Sequence, residues 1–64
     1  MYSTLKAEMA RKGVTGRELA RSLNLGESTF SLKINGRSEF DLSEAKAIKD
    51  ELGVNIPLEE LFEK

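Results

Sequence analysis

Thr15 to Gly36 reads T-G-R-E-L-A-R-S-L-N-L-G-E-S-T-F-S-L-K-I-N-G. This run leaves the backbone few choices. Thr15 and Glu18 have the spacing of a reciprocal capping box, in which the threonine oxygen accepts from an amide one turn in and the glutamate reaches back. Leu19, Ala20 and Leu23 follow at helical spacing and define one apolar stripe. Ala20 suits a close helix crossing, because a methyl fits where a longer side chain would force the helices apart. Asn24 comes where the chain has to turn; asparagine enters the left-handed region more readily than other non-glycine residues, so it can end a helix as glycine does. Leu25 plugs the corner, and Gly26 is acceptable at the next cap. Glu27 to Ile34 then forms a second helix, with Phe30 and Ile34 one turn apart on its inner side, and Asn35-Gly36 stops it. The local chemistry therefore predicts two short helices joined by a tight turn.

The flanking segments read as further helices. The first runs from Ser3 or Thr4 to Lys12, with Ser3 a candidate cap, Leu5 and Met9 facing the core, Tyr2 closing one edge and Gly13 as the stop. Val14 precedes the Thr15 cap, where it can staple the helix or join the core. After the polar loop Arg37-Ser38-Glu39, the aromatic Phe40 is expected to fold inward. Asp41 and Glu44 repeat the capping-box spacing and open a helix whose buried stripe is Leu42, Ala45, Ile48 and Leu52, ended by Gly53. Pro57 fits the first turn of a last short helix, and Glu59 and Glu60 suit its positive end. Leu58, Leu61 and Phe62 are more apolar surface than one face of a short helix needs. They either complete the core or contribute to a dimer contact.

A chain of 64 residues allows one domain, residues 1–64, with a modest core. It contains no cysteine and no histidine, which excludes disulfides and the commonest metal and nucleophile chemistry. No catalytic constellation, cofactor site or metal site is read, and a solvated helix face explains Glu59, Glu60 and Glu63 better than a metal does. No run is apolar enough for a signal peptide or a membrane span, so a soluble, cytoplasmic protein is expected. Charge is unevenly distributed. Residues 1–38 hold seven Lys and Arg against three Glu, a formal +4, whereas residues 39–64 sum to −5. Such a dipolar chain can turn its basic half toward phosphate.

The pattern of Leu19, Ala20, Leu23, Leu25, Phe30 and Asn35-Gly36 resembles the helix-turn-helix of the phage repressor/Cro type, the XRE family. F-D-L-S-E-A-K-A-I and L-E-E-L-F are similar to that family's last two helices, and K-I-N-G-R-S-E-F is similar to small prophage regulators of Gram-positive bacteria. The resemblance implies an all-α, compact five-helix lambda-repressor-like domain with the helix-turn-helix at helices 2 and 3. It further implies a transcriptional regulator that binds a double-stranded DNA operator as a homodimer, with the second helix of the motif in the major groove. Carried onto this chain, the base-facing residues are Glu27, Ser28, Ser31 and Leu32, with Thr29 near the backbone. The phosphate-facing residues are Arg17, Lys33, Asn35 and Arg37, with backbone amides near Gly16 and Gly26. The chain departs from the family pattern in three respects. Gly16 stands where a glutamine is usual, Lys33 where an apolar residue is usual, and Met9 and Ile34 where many members place an Arg–Glu ion pair. Lys33 is expected to lay its stem along apolar surface with its ammonium outside, while Ile34 takes the inward role.

A competing reading is a helical protein-interaction module without DNA binding, using an exposed Leu32, Leu58 or Phe62. The missing Arg and Gln base readers and the acidic second half favour it.

Overall fold

Two reciprocal capping boxes set the frame. In the computed structural model, which describes residues 2–63, Thr15 and Asp41 each accept from the amide three residues on, while Glu18 and Glu44 accept from the amides of their own caps. The chain runs α1 (Ser3–Lys12), α2 (Gly16–Ser22), α3 (Glu27–Ile34), α4 (Leu42–Leu52) and α5 (Leu58–Leu61), with no strand among the described residues. The all-helical architecture expected from the periodicity is the one observed.

The core is built where these helices meet. Leu5, Leu19, Ile48 and Leu61, one each from α1, α2, α4 and α5, are fully buried, and Phe30 of α3 closes the set. No polar or charged residue is buried among the described residues, so no desolvated charge offsets the apolar burial. All four aromatic residues join one cluster around Phe40. Its ring centroid lies 5.6 Å from that of Tyr2, 5.8 Å from Phe30 and 5.4 Å from Phe62, in tilted or edge-on arrangements. Such pairs contribute roughly 0.5–1.5 kcal/mol each beyond area burial. Phe40 thus packs inward as its polar neighbours suggested, and it pins the start of the chain, α3 and the end of the chain to one another.

Three local expectations are corrected. Ser3 is not the cap of α1 but its first helical residue. The cap is Tyr2, which makes no side-chain cap bond and has φ 50°, ψ 45°. A left-handed tyrosine costs about 1–2 kcal/mol, and here the burial of its ring, only 3% exposed, holds it there. Leu42 does not join the buried stripe of α4, because it is 64% exposed. Helical side chains tilt toward the N-terminus, so Leu42, in the first turn, leans past the end of the helix and beyond the elements that cover Ala45, Ile48 and Leu52. It borders an open groove of about 570 Å³ with Tyr2, Phe40, Leu58 and Phe62. Pro57 sits at the cap of α5, one residue before its first turn, where its carbonyl accepts from Glu60 and Leu61 and its missing amide still costs nothing. Within α5, Leu61 completes the core, while Leu58 and Phe62 are half-buried.

Candidate nucleic-acid interface

The surface of interest rests on the α2–α3 turn. Asn24 adopts φ 59°, as its residue type suggested, and its amide donates to the Arg21 carbonyl at 3.2 Å. The Leu25 amide donates to the Ala20 carbonyl at 2.9 Å, which folds the chain back tightly enough for Leu25 to pack against the core. Ala20, whose carbonyl takes that bond, is itself buried, only 2% exposed. Gly26 then caps α3 in an extended conformation without a side-chain bond.

One face of α3 is fixed from behind. Phe30 is buried, and Ile34, half-buried, packs on the core. Glu27, Ser28, Thr29, Ser31 and Leu32 are all exposed, with Leu32 at 49%. Ser28 and Leu32 stand opposite Phe30, while Glu27 is exposed at the open N-terminal end of the helix. Asn35, at the C-terminal cap, donates from Nδ2 to the Ser31 hydroxyl at 3.3 Å, so the two polar groups nearest the exit of α3 are held as a unit. Arg37 follows on the loop and is exposed. Its amide and that of Ser38 both donate to the Leu32 carbonyl, at 2.9 and 3.2 Å, which turns the loop tightly against the end of α3.

On the α2 side, Arg17 Nε lies 3.4 Å from Glu27 Oε2. Both side chains are well exposed, so the pair contributes little to stability and can exchange partners freely. Arg21 is a residue that sequence reasoning passed over. It lines a cleft of about 340 Å³ with Arg17, Leu25, Gly26 and Glu27 at the mouth of the turn. The signal was present, since Arg17 and Arg21 are four residues apart and therefore share a helix edge.

Lys33 departs from expectation. Its ammonium is not outside: Nζ donates to Glu44 Oε1 at 3.0 Å and to the Glu39 carbonyl at 3.0 Å. The Lys33 and Glu44 side chains are only 14% and 16% exposed. A lone cation on an outward helix face would remain solvated, but here α4 brings a carboxylate against it. The structure thus gathers Arg17, Glu27, Ser28, Thr29, Ser31, Leu32, Asn35 and Arg37 on the exposed side of the α2–α3 unit and its exit loop, and draws Lys33 inward.

A two-helix unit with this corner, an apolar rear face and a polar front face bounded by Arg is what the family match concerns. The family model for the Cro/C1-type helix-turn-helix DNA-binding domain matches residues 4–63. The chain belongs to that family. Neither the curated proteins nor the solved structures contain a match to it. Seen as a Cro/C1-type domain, two of its departures acquire physical reasons. Gly16 leaves room for the Phe30 ring, which a Cβ at that position would meet at 3.1 Å. Met9 and Ile34 both pack against the apolar core, which is compatible with hydrophobic replacement of a buried ion pair. No helix among the described residues is long and apolar enough to cross a membrane.

Proposed function

We propose that the protein is a sequence-specific transcriptional regulator, a prophage repressor or Cro-like protein working in the cytoplasm, that reads the major groove with α3. The observation that carries this reading is the division of α3 into two faces. Phe30 and Ile34 lock it from behind, while Ser28, Ser31 and Leu32 stand exposed in front. Serine hydroxyls bond to several bases, Glu27 can accept from a cytosine amine, and Leu32 can cover a thymine methyl. With no Arg or Gln pointing from this face, discrimination rests on these short side chains and on DNA shape. Arg17 and Arg21 before the face and Arg37 after it supply phosphate contacts.

The regulator acts as a homodimer on a two-fold operator. Its Cα trace extends 26 Å along the longest axis, against the roughly 34 Å that separates successive major-groove half-sites, a size suited to one half-site per copy. Operator sequences selected from a random double-stranded pool, followed by titration across salt concentrations, test the reading. Affinity should fall steeply with salt, and Arg37→Ala should reduce the log–log slope by about 0.9 for one phosphate contact. Absence of any binding at low salt would reject it.

That outcome would favour a second reading, a helical module that docks on protein. One observation speaks for it: Leu42 stands exposed beside the apolar groove of Phe40, Leu58 and Phe62.

A further inference from the structure

We propose that Lys33 is a positioning residue that ties the exit of α3 to the start of α4, and that it makes no phosphate contact of its own. The inference rests on the DNA-binding reading above. Lys33 spends two of its three N–H donors inside the protein, one on Glu44 Oε1 and one on the Glu39 carbonyl, both at 3.0 Å. Glu44 Oε1 is itself shared, because it also accepts the Asp41 amide at 2.9 Å in the capping box of α4. A single carboxylate oxygen therefore joins the last turn of α3 to the first turn of α4.

Between these two anchors lies the loop that carries Asn35 and Arg37. At its near end the Gly36 amide donates to the Lys33 carbonyl, and the Arg37 and Ser38 amides donate to Leu32. At its far end Lys33 Nζ holds Glu39 and Glu44. The loop is thus closed onto the helix it leaves, and the direction of Arg37 follows from that closure. Withdrawing Lys33 toward a phosphate would leave the half-buried Glu44 carboxylate without its cation, a costly exchange. A solvated lysine on the same helix would face no such penalty.

Operator affinity measured by fluorescence anisotropy from about 50 to 300 mM salt separates the two roles. Lys33→Met should weaken binding about three- to tenfold at every salt concentration, the range expected for a residue that acts through its neighbours. It should leave the log–log slope unchanged, whereas loss of a phosphate contact lowers that slope by about 0.9. Glu44→Gln keeps a capping-box residue at its position and removes a negative charge, so long-range electrostatics alone would tighten binding. Loss of the tether should instead weaken it. A reduced slope in Lys33→Met, or equal or tighter binding by Glu44→Gln, would overturn the proposal. Amide hydrogen exchange on the free protein provides a readout that does not involve DNA. Both variants should speed exchange at Arg37, whose amide closes the loop onto Leu32, while leaving Leu52 in α4 protected, and unchanged exchange at Arg37 would also overturn it. If the wild-type chain binds no DNA but the exchange result holds, the tether stands and the DNA-binding reading fails.

Discussion

The Phe30 ring occupies the space where a side chain at position 16 would begin. A Cβ built on Gly16 would stand 3.1 Å from Phe30 Cε2 and 3.5 Å from Cδ2. The ring has little freedom to retreat, because it is buried and already packs at a tilt against Phe40, with centroids 5.8 Å apart. Replacing glycine by alanine in a helix normally gains up to about 1 kcal/mol, while overpacking costs about 1–3 kcal/mol. Gly16→Ala should therefore lower stability by roughly 1 kcal/mol in urea denaturation. In a Phe30→Leu background the same change should become neutral or favourable, a coupling that a double-mutant cycle would reveal. A simple gain of stability in the wild-type background would show that the ring yields.

Stability should also respond to acid through the two capping boxes. The Thr15 amide, and next the Thr15 hydroxyl, hold the Glu18 carboxyl below the ordinary glutamate range. The Glu44 amide, and next the Ser43 hydroxyl, do the same for Asp41. A carboxyl with a depressed folded-state pKa binds protons more readily in the unfolded chain. Its contribution is fully present above the unfolded value, near pH 4, and is lost as pH falls through the folded value. Urea midpoints measured from about pH 7 to pH 2 should decline on this acid limb. Glu18→Gln and Asp41→Asn, which keep an acceptor oxygen but lose the titration, should each flatten it. An identical acid limb in both variants would remove these groups from the account.

What could be read from the sequence was mostly local. The two capping boxes, the left-handed Asn24 and the glycine that ends α4 all follow from side chains within a few residues of the backbone they organise. Phe30 and Ile48 were legible because helical periodicity reports which face is apolar, whereas in the short α5 the pattern left Leu61 open between core and dimer contact. Leu42 obeys that periodicity and is still exposed, since whether an apolar face is covered depends on where the other helices end. Lys33 failed for a related reason: its carboxylate lies eleven residues away on another helix, and nothing at position 33 announces it. That Gly16 makes room for the Phe30 ring is not legible locally, because the two residues belong to different helices. In the candidate interface the sequence indicated that Glu27, Ser28, Thr29, Ser31 and Leu32 of α3 are exposed, but not that Lys33 turns inward. It missed Arg21, whose partnership with Arg17 is a matter of helix geometry.

The exposure of Leu42 leads to a contrast within one helix. Leu42→Ser should change the unfolding free energy by less than about 0.5 kcal/mol, as surface substitutions usually do. Ile48→Ala, at a fully buried position of the same helix, should cost about 2–5 kcal/mol through lost burial and the cavity left behind. Urea denaturation at low protein concentration measures both. A large loss from Leu42→Ser under those conditions would place that side chain inside the folded monomer.

The front of α3 should divide by function when its residues are changed singly. Ser28 and Leu32 are four residues apart and exposed on the same side, so they should address neighbouring base pairs. If α3 reads the groove as proposed, Leu32→Ala should relax a preference for thymine, whose methyl group Leu32 would cover, and Ser28→Ala should change the preferred base beside it. A mismatched base pair in a specific site typically costs about 1–3 kcal/mol, so sequencing the bound fraction of a random operator pool would detect a relaxed preference at either position. Neither variant removes a charge, and the salt slope should stay at its wild-type value. Arg37→Ala should behave in the opposite way, binding all sequences more weakly, with a shallower slope and an unchanged base preference. Simultaneous replacement of Glu27, Ser28, Ser31 and Leu32 by alanine is the severe case. All four side chains lie outside the core, so the helix should still fold. A base preference that persisted through that replacement would show that another part of the molecule reads the DNA.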